Sequence, residues 1–176
     1  MPQSLEILIV KVKPEENKKL LEIGLQTFYN SFGPPVNTEE NIRSYLQEKF
    51  TLAQIDRELQ DDNSQFFFAK SDNNIIGYLK LNSGKAQTEI IEGKSLEIER
   101  IYVVKDYQGK KIGQLLLDKS IQIAKEMNID FIWLGVWDKN SGAIKFYERN
   151  GFKTFDKHQF ILGTEVQTDI MMKLEL

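Results

Sequence analysis

The sequence has no cysteine and a single histidine, His158. Disulfide staples, zinc thiolate centres, iron-sulfur ligation and thiol catalysis are therefore excluded, as are metal sites built from several histidines. No metal cofactor is expected. A Ser-His-Asp hydrolase would depend on that one imidazole, and no G-x-S-x-G turn accompanies it. Positive charge is also scarce: 23 Lys and Arg stand against 26 Asp and Glu, a formal net charge of -3. That sign is wrong for gripping phosphate backbones nonspecifically, and the basic residues are dispersed rather than blocked, so no nucleic-acid partner is expected. No apolar run approaches the roughly 20 residues that span a bilayer. The N-terminus also lacks a charged leader, apolar stretch and small-residue cleavage site. The expectation is a cytoplasmic chain with no membrane partner.

What is present is the mixture of an ordinary globule: 176 residues, 41% hydrophobic and 28% charged. That length favours one domain over residues 1–176, and no linker or repeat divides it. Leu5 to Val12 reads as a strand stopped by Pro14, where Glu15 and Glu16 open a helix carrying Leu20, Ile23 and Phe28. Gly33, Pro34 and Pro35 break it. Thr38 and Thr51 are N-cap candidates for two short helices over 39–50 and 52–59. The signal then changes to strand runs, 65–70 and 75–82, joined as a hairpin. A fourth strand covers 95–104, a helix runs from Gly113 to near Asn128, and a fifth, buried strand covers 131–136. A short helix over 142–149 precedes strands 152–162 and 165–174. This order mixes hairpins with strand-helix-strand crossovers, which predicts an α+β or mixed α/β sheet with helices on both faces.

The fourth strand carries the sharpest local signal. Leu96 and Ile98 share one parity whereas Ile101 and Val103 fall on the other. An extra residue between them, a β-bulge, would return all four to one face. Gln108-Gly109-Lys110-Lys111-Ile112-Gly113 follows, at a helix start where backbone N–H groups are unpaired and the dipole is positive. Such a turn suits a pyrophosphate, with Lys110 and Lys111 adding charge. It is neither a Walker loop nor a Rossmann turn.

This strand, turn and helix resemble motif A of the GNAT acetyltransferase superfamily, [QR]-x-x-G-x-[GA]. Gln108 and Gly113 match, while Lys111 stands where the middle glycine usually is and resists the left-handed dihedrals that glycine accepts. Asn140, Ala143, Phe146, Tyr147, Gly151 and Phe152 match the second motif, N-x-x-A-x-x-F-Y-x-x-x-G-F. Further segments, including Ser64 to Phe68, Ile132 to Trp137 and the tail from His158 to Asp169, resemble the PaiA-type polyamine acetyltransferases.

The resemblance implies a GNAT fold: a mostly antiparallel six- or seven-stranded sheet whose bulged fourth strand splays from the fifth to admit a pantetheine arm. It implies an acetyl-CoA cosubstrate, direct transfer to a primary amine such as spermidine or spermine, and a monomer or homodimer. On that pattern Ile101, Tyr102, Val103, Gln108, Gly109, Lys110, Lys111, Ile112, Gly113, Asn140, Phe146 and Tyr147 hold the cofactor, with a backbone N–H of Ile101 or Val103 on the thioester oxygen. Tyr147 is the expected acid for the departing thiolate, or a packed tyrosine. The base is Glu97, at the spacing of the histone-acetylating branch, or Glu99, or ordered water. Asn140 bonds the pantetheine amides or caps a helix; Phe146, Trp133 and Trp137 have core packing as their alternative. His158 is a structural residue or a substrate contact. Glu39, Glu40, Asp56, Glu58, Asp61 and Asp62 suit a polycation, and equally suit solvated helix faces. A protein amine acceptor and a CoA-binding regulatory module remain as alternative functions.

Overall fold

The computed structural model describes residues 4–176. In chain order the elements are β1 (Ile7–Lys11), α1 (Asn17–Phe32), α2 (Glu39–Lys49), α3 (Leu52–Gln60), β2 (Ser64–Ser71), β3 (Asn74–Ser83) and β4 (Ser95–Val103). Then come α4 (Ile112–Glu126), β5 (Phe131–Trp137), α5 (Ser141–Arg149), β6 (Lys153–Leu162) and β7 (Glu165–Glu175). The two threonines do cap their helices: Thr38 accepts from the Asn41 N–H at 3.2 Å and Thr51 from that of Gln54 at 3.1 Å. No helix among the described residues is long and apolar enough to cross a membrane.

The strands form one seven-stranded sheet in the order β1-β2-β3-β4-β5-β7-β6. Its pairs are antiparallel except β4 with β5, which α4 joins as a parallel crossover. Helices α4 and α5 cover one face, α1 to α3 the other. Under α4 the packing is apolar: Leu79, Leu81, Leu96, Ile98, Ile132 and Leu134 meet Leu116 and Leu117. Each such buried side chain contributes roughly 1.5–3 kcal/mol. Under α1 and α3 lie Phe66, Phe68 and Tyr78 with Leu20, Ile23 and Ile55.

The expected bulge is present. Lys80 of β3 stands opposite Arg100, yet Leu81 stands opposite Ile98, so Glu99 is the extra residue. It lets Leu96 and Ile98 share the α4 side with Ile101 and Val103, while Arg100 and Tyr102 turn toward the helices of the other face. The β6–β7 hairpin is pinned to α2, where Asn41 bonds both the backbone and hydroxyl of Thr164. Gly163, at φ 61°, makes that docking possible, because a Cβ there would sit 2.4 Å from the Asn41 Oδ1.

Candidate active site

The parallel pairing of β4 with β5 stops after Glu97 and Trp133. Beyond that point the strands part, and a cleft of about 1170 Å³ opens between them, closed by the α4 turn, α5 and the end of α1. The β4 backbone is aimed by its pairing with β3. Val104 donates its N–H to the Ile76 carbonyl at 2.8 Å, so by alternation Tyr102 also faces β3 and Ile101 and Val103 face the cleft. The Val103 carbonyl is taken by the Gln108 side chain at 3.2 Å, which ties the turn to the strand end.

The turn itself solves the problem posed by its lysine. Lys111 is in the left-handed region, φ 65° and ψ 17°, where a glycine would be at ease. Gly109 is also left-handed, at φ 77°. The result aims the free N–H groups of the first turn of α4 at the cleft, which Gln108, Gly109, Lys111, Ile112 and Gly113 all line. Lys110 does not: it is exposed, with its ammonium 5.1 Å from the centre of the Tyr107 ring.

Across the cleft, α5 presents Asn140, Phe146 and Tyr147. Asn140 is the N-cap of α5, its Oδ1 accepting from the Ala143 N–H at 3.2 Å, and it also lines the cleft. Tyr147 packs edge-on to Phe146 at 5.3 Å and against Phe152 at 5.6 Å. Its hydroxyl makes no hydrogen bond among the described residues, and burial pushes its pKa up, so it is protonated at neutral pH.

Trp133 and Trp137 part company. Trp133 is buried in the sheet with its indole N–H on Gln87 at 2.8 Å, whereas Trp137 lines the cleft.

The two candidate bases are placed differently as well. Glu97 lies outside the cleft, 3% exposed, where β4 and β5 are still paired. Its carboxylate accepts from the backbone and hydroxyl of Thr88 and from Asn82 at 3.0 Å. Burial raises its pKa, opposed by those bonds. Glu99, in the bulge, lines the cleft. Burial would lift its pKa, but Arg100 and Lys80 outweigh that and hold it below the ordinary carboxylate range. It belongs to an ionic cluster: Lys80 pairs with Glu99 and, at 3.3 Å, with Glu58, and Arg100 lies 3.7 Å from Glu58 and 4.5 Å from the centre of the Phe50 ring.

The acidic residues expected to favour a polycation lie elsewhere. Glu39 bonds Tyr29 and pairs with Arg43, Asp56 accepts from Asn17, Glu58 is in the cluster, and none of the six lines the cleft. Sequence reasoning missed Asn82, which is fully buried and bonds Glu97 and Glu99 together. The alternation of Tyr78, Lys80 and Asn82 against Gly77, Leu79 and Leu81 was its available signal. His158 sits between two carboxylates, with Nδ1 on Glu89 and Nε2 3.3 Å from Asp169.

Comparison with known proteins decides the family. Residues 25–152 match the acetyltransferase (GNAT) family. This chain belongs to it. An uncharacterised N-acetyltransferase of Lactobacillus delbrueckii subsp. lactis is 34% identical, over 97% of this chain and 98% of that one. A spermidine N1-acetyltransferase of Thermoplasma acidophilum is 30% identical, over 86% of this chain and 91% of its own. The crystal structure of the PaiA N-acetyltransferase from Thermoplasma acidophilum in complex with coenzyme A superposes with a TM-score of 0.79, at 26% identity, covering 97% of this chain and 99% of that one. The protein is thus a GNAT N-acetyltransferase whose mixed sheet, with β4 parallel to β5, is the GNAT fold.

Proposed function

We propose that this GNAT enzyme transfers the acetyl group of acetyl-CoA directly to a primary amine of a polyamine such as spermidine. The observation that carries the reading is the parting of β4 from β5 beside the α4 turn: it leaves the Ile101 and Val103 amides free on one side and an anionic residue, Glu99, on the same cleft. The relatives' names, coenzyme A for one and spermidine for the other, support donor and acceptor respectively.

In this reading the first-turn amides of α4 with Lys111 receive the donor's pyrophosphate, and Asn140 and Phe146 line its pantetheine. The N–H of Ile101 or Val103 donates to the thioester oxygen as charge builds on it. Once deprotonated, the amine attacks the carbonyl carbon, the C–S bond breaks, and Tyr147 gives its proton to the departing thiolate. Glu99 stays ionised and draws the ammonium into the cleft, but its depressed pKa makes it a poor base, and Glu97 has no access. The amine's proton therefore leaves through water. The polyamine assignment is supported by the spermidine acetyltransferase relative, with Glu99 as the carboxylate in the cleft wall.

Purified protein mixed with acetyl-CoA and a panel of spermidine, spermine, diamines, amino acids and peptides tests this, with thiol release followed beside product masses. Acetylspermidine is the expected product. Reaction with peptides but not polyamines would replace the acceptor, and coenzyme A binding without transfer to any amine would favour a regulatory module.

A further inference from the structure

The end of α1 leaves two backbone acceptors without partners in the wall of the cleft. In an α-helix the carbonyl of residue i accepts from the N–H of residue i+4, and Gly33 still serves the Tyr29 carbonyl in this way, at 2.8 Å. The next two donors in line would be residues 34 and 35. Both are proline, which has no N–H. The Phe32 carbonyl is taken instead by the Asn37 side chain at 2.8 Å, itself held by Gln167 of β7 at 3.1 Å. The carbonyls of Asn30 and Ser31 have no hydrogen-bond partner among the described residues. Both residues are exposed and line the cleft, as does Thr27 one turn earlier. A helix of 16 residues carries roughly half a negative charge at this end, and no basic residue in its last turn offsets it. The charged side chains of the cleft are sorted in the same sense. Lys105, Lys111, Lys139 and Arg149 come from the segments around the α4 turn and α5, whereas α1 brings no cation and Glu99 is the one carboxylate among the described lining residues.

We propose that the last turn of α1 is the subsite for a second, non-reacting ammonium of the acceptor, which donates to the carbonyls of Asn30 and Ser31. The inference rests on the polyamine reading and adds the feature that separates a polyamine from a monoamine. An ammonium suits this place because it has donors and no acceptor, and the two carbonyls can take it without giving up a bond to the protein. Pro34 and Pro35 keep them open, since neither can supply the N–H that would continue the helix ladder. Recognition by main chain means that no side-chain deletion removes the subsite, while a cation placed on the same turn competes for it.

Acetyl transfer to spermidine is assayed on the whole protein, with butylamine and 1,4-diaminobutane as competitors of equal chain length. The diamine is expected to compete about tenfold or more better than the monoamine, the scale of one charge-assisted bond. Ser31→Lys puts an ammonium on the same turn, at an exposed helical position that accepts lysine. It should abolish the preference for the diamine and raise the KM for spermidine about tenfold, with the KM for acetyl-CoA within about twofold. Ser31→Gln, long but uncharged, should raise the spermidine KM several-fold less than Ser31→Lys does. Where spermidine is acetylated, equal competition by diamine and monoamine in the wild type overturns this inference alone. So does a preference that survives Ser31→Lys, or a Ser31→Gln variant as impaired as Ser31→Lys, which would make bulk and not charge the cause. A protein that does not acetylate spermidine overturns the polyamine reading and this inference with it.

Discussion

The two faces of the sheet use neighbouring residues of the same two strands to opposite ends. Leu79, Leu81, Leu96 and Ile98 turn to α4 and need only to be apolar and well packed. Lys80, Asn82, Glu97 and Arg100, one position away on β3 and β4, turn to the other face and are satisfied group by group. A dry core tolerates substitutions that preserve volume, whereas a buried charge is stable only beside its partner, because its lost hydration must be offset locally. The bulge at Glu99 lets one strand serve both requirements. It also brings a carboxylate, that of Glu99, to the cleft.

Four substitutions probe that contrast. Glu99→Gln leaves Lys80 and Arg100 with Glu58 as their remaining paired carboxylate and should cost about 3–5 kcal/mol in urea unfolding. The native pKa of Glu99 is lowered, so its stabilisation is complete above the ordinary carboxylate range and disappears as pH falls through the lowered value. The variant should therefore lose less stability on acidification than the wild type, and an unchanged acid limb would show that the cluster does not act as described. Leu116→Ala, on the dry face, should cost about 2–5 kcal/mol, with the same cost at every pH and salt concentration. A salt-dependent cost there would erase the distinction between the faces. Tyr147→Phe should lower kcat about a hundredfold, measured by thiol release, while leaving stability and the KM for acetyl-CoA nearly unchanged; an unaltered kcat removes Tyr147 from the chemistry. Lys111→Gly should raise stability by about 1 kcal/mol through relief of the left-handed residue, seen as a higher urea midpoint. A lower midpoint would mean that the lysine side chain contributes more than its backbone costs.

Much of this arrangement was legible in the chain because it rests on local patterns. The parity slip between Ile98 and Ile101 marked the bulge within one residue, since alternation along a strand is strict. Capping threonines and the spacing from Asn140 to Phe152 fixed α2, α3 and α5 in the same way. Lys111 was flagged for a conformation it does adopt, the strain being borne by the turn. What stayed hidden depends on partners distant in sequence. Glu97 and Glu99 are two residues apart, and only the pairing of β4 with β5 seals one off while the splay exposes the other. Nothing local marks Lys80 as buried, because only the tertiary fold places Glu58 of α3 beside it. The meeting of Glu89, His158 and Asp169 joins a loop to two strands, a contact no spacing rule encodes.

The most direct test of the account is amide hydrogen exchange, residue by residue, along the end of β4 with and without acetyl-CoA. The Tyr102 and Val104 amides, turned to β3, should be protected in both states, while those of Ile101 and Val103 should exchange quickly in the free protein and slow when acetyl-CoA binds. Four amides with the same protection, unchanged by acetyl-CoA under conditions where it is bound, would contradict the claim that the bulge aims this strand's backbone at the donor.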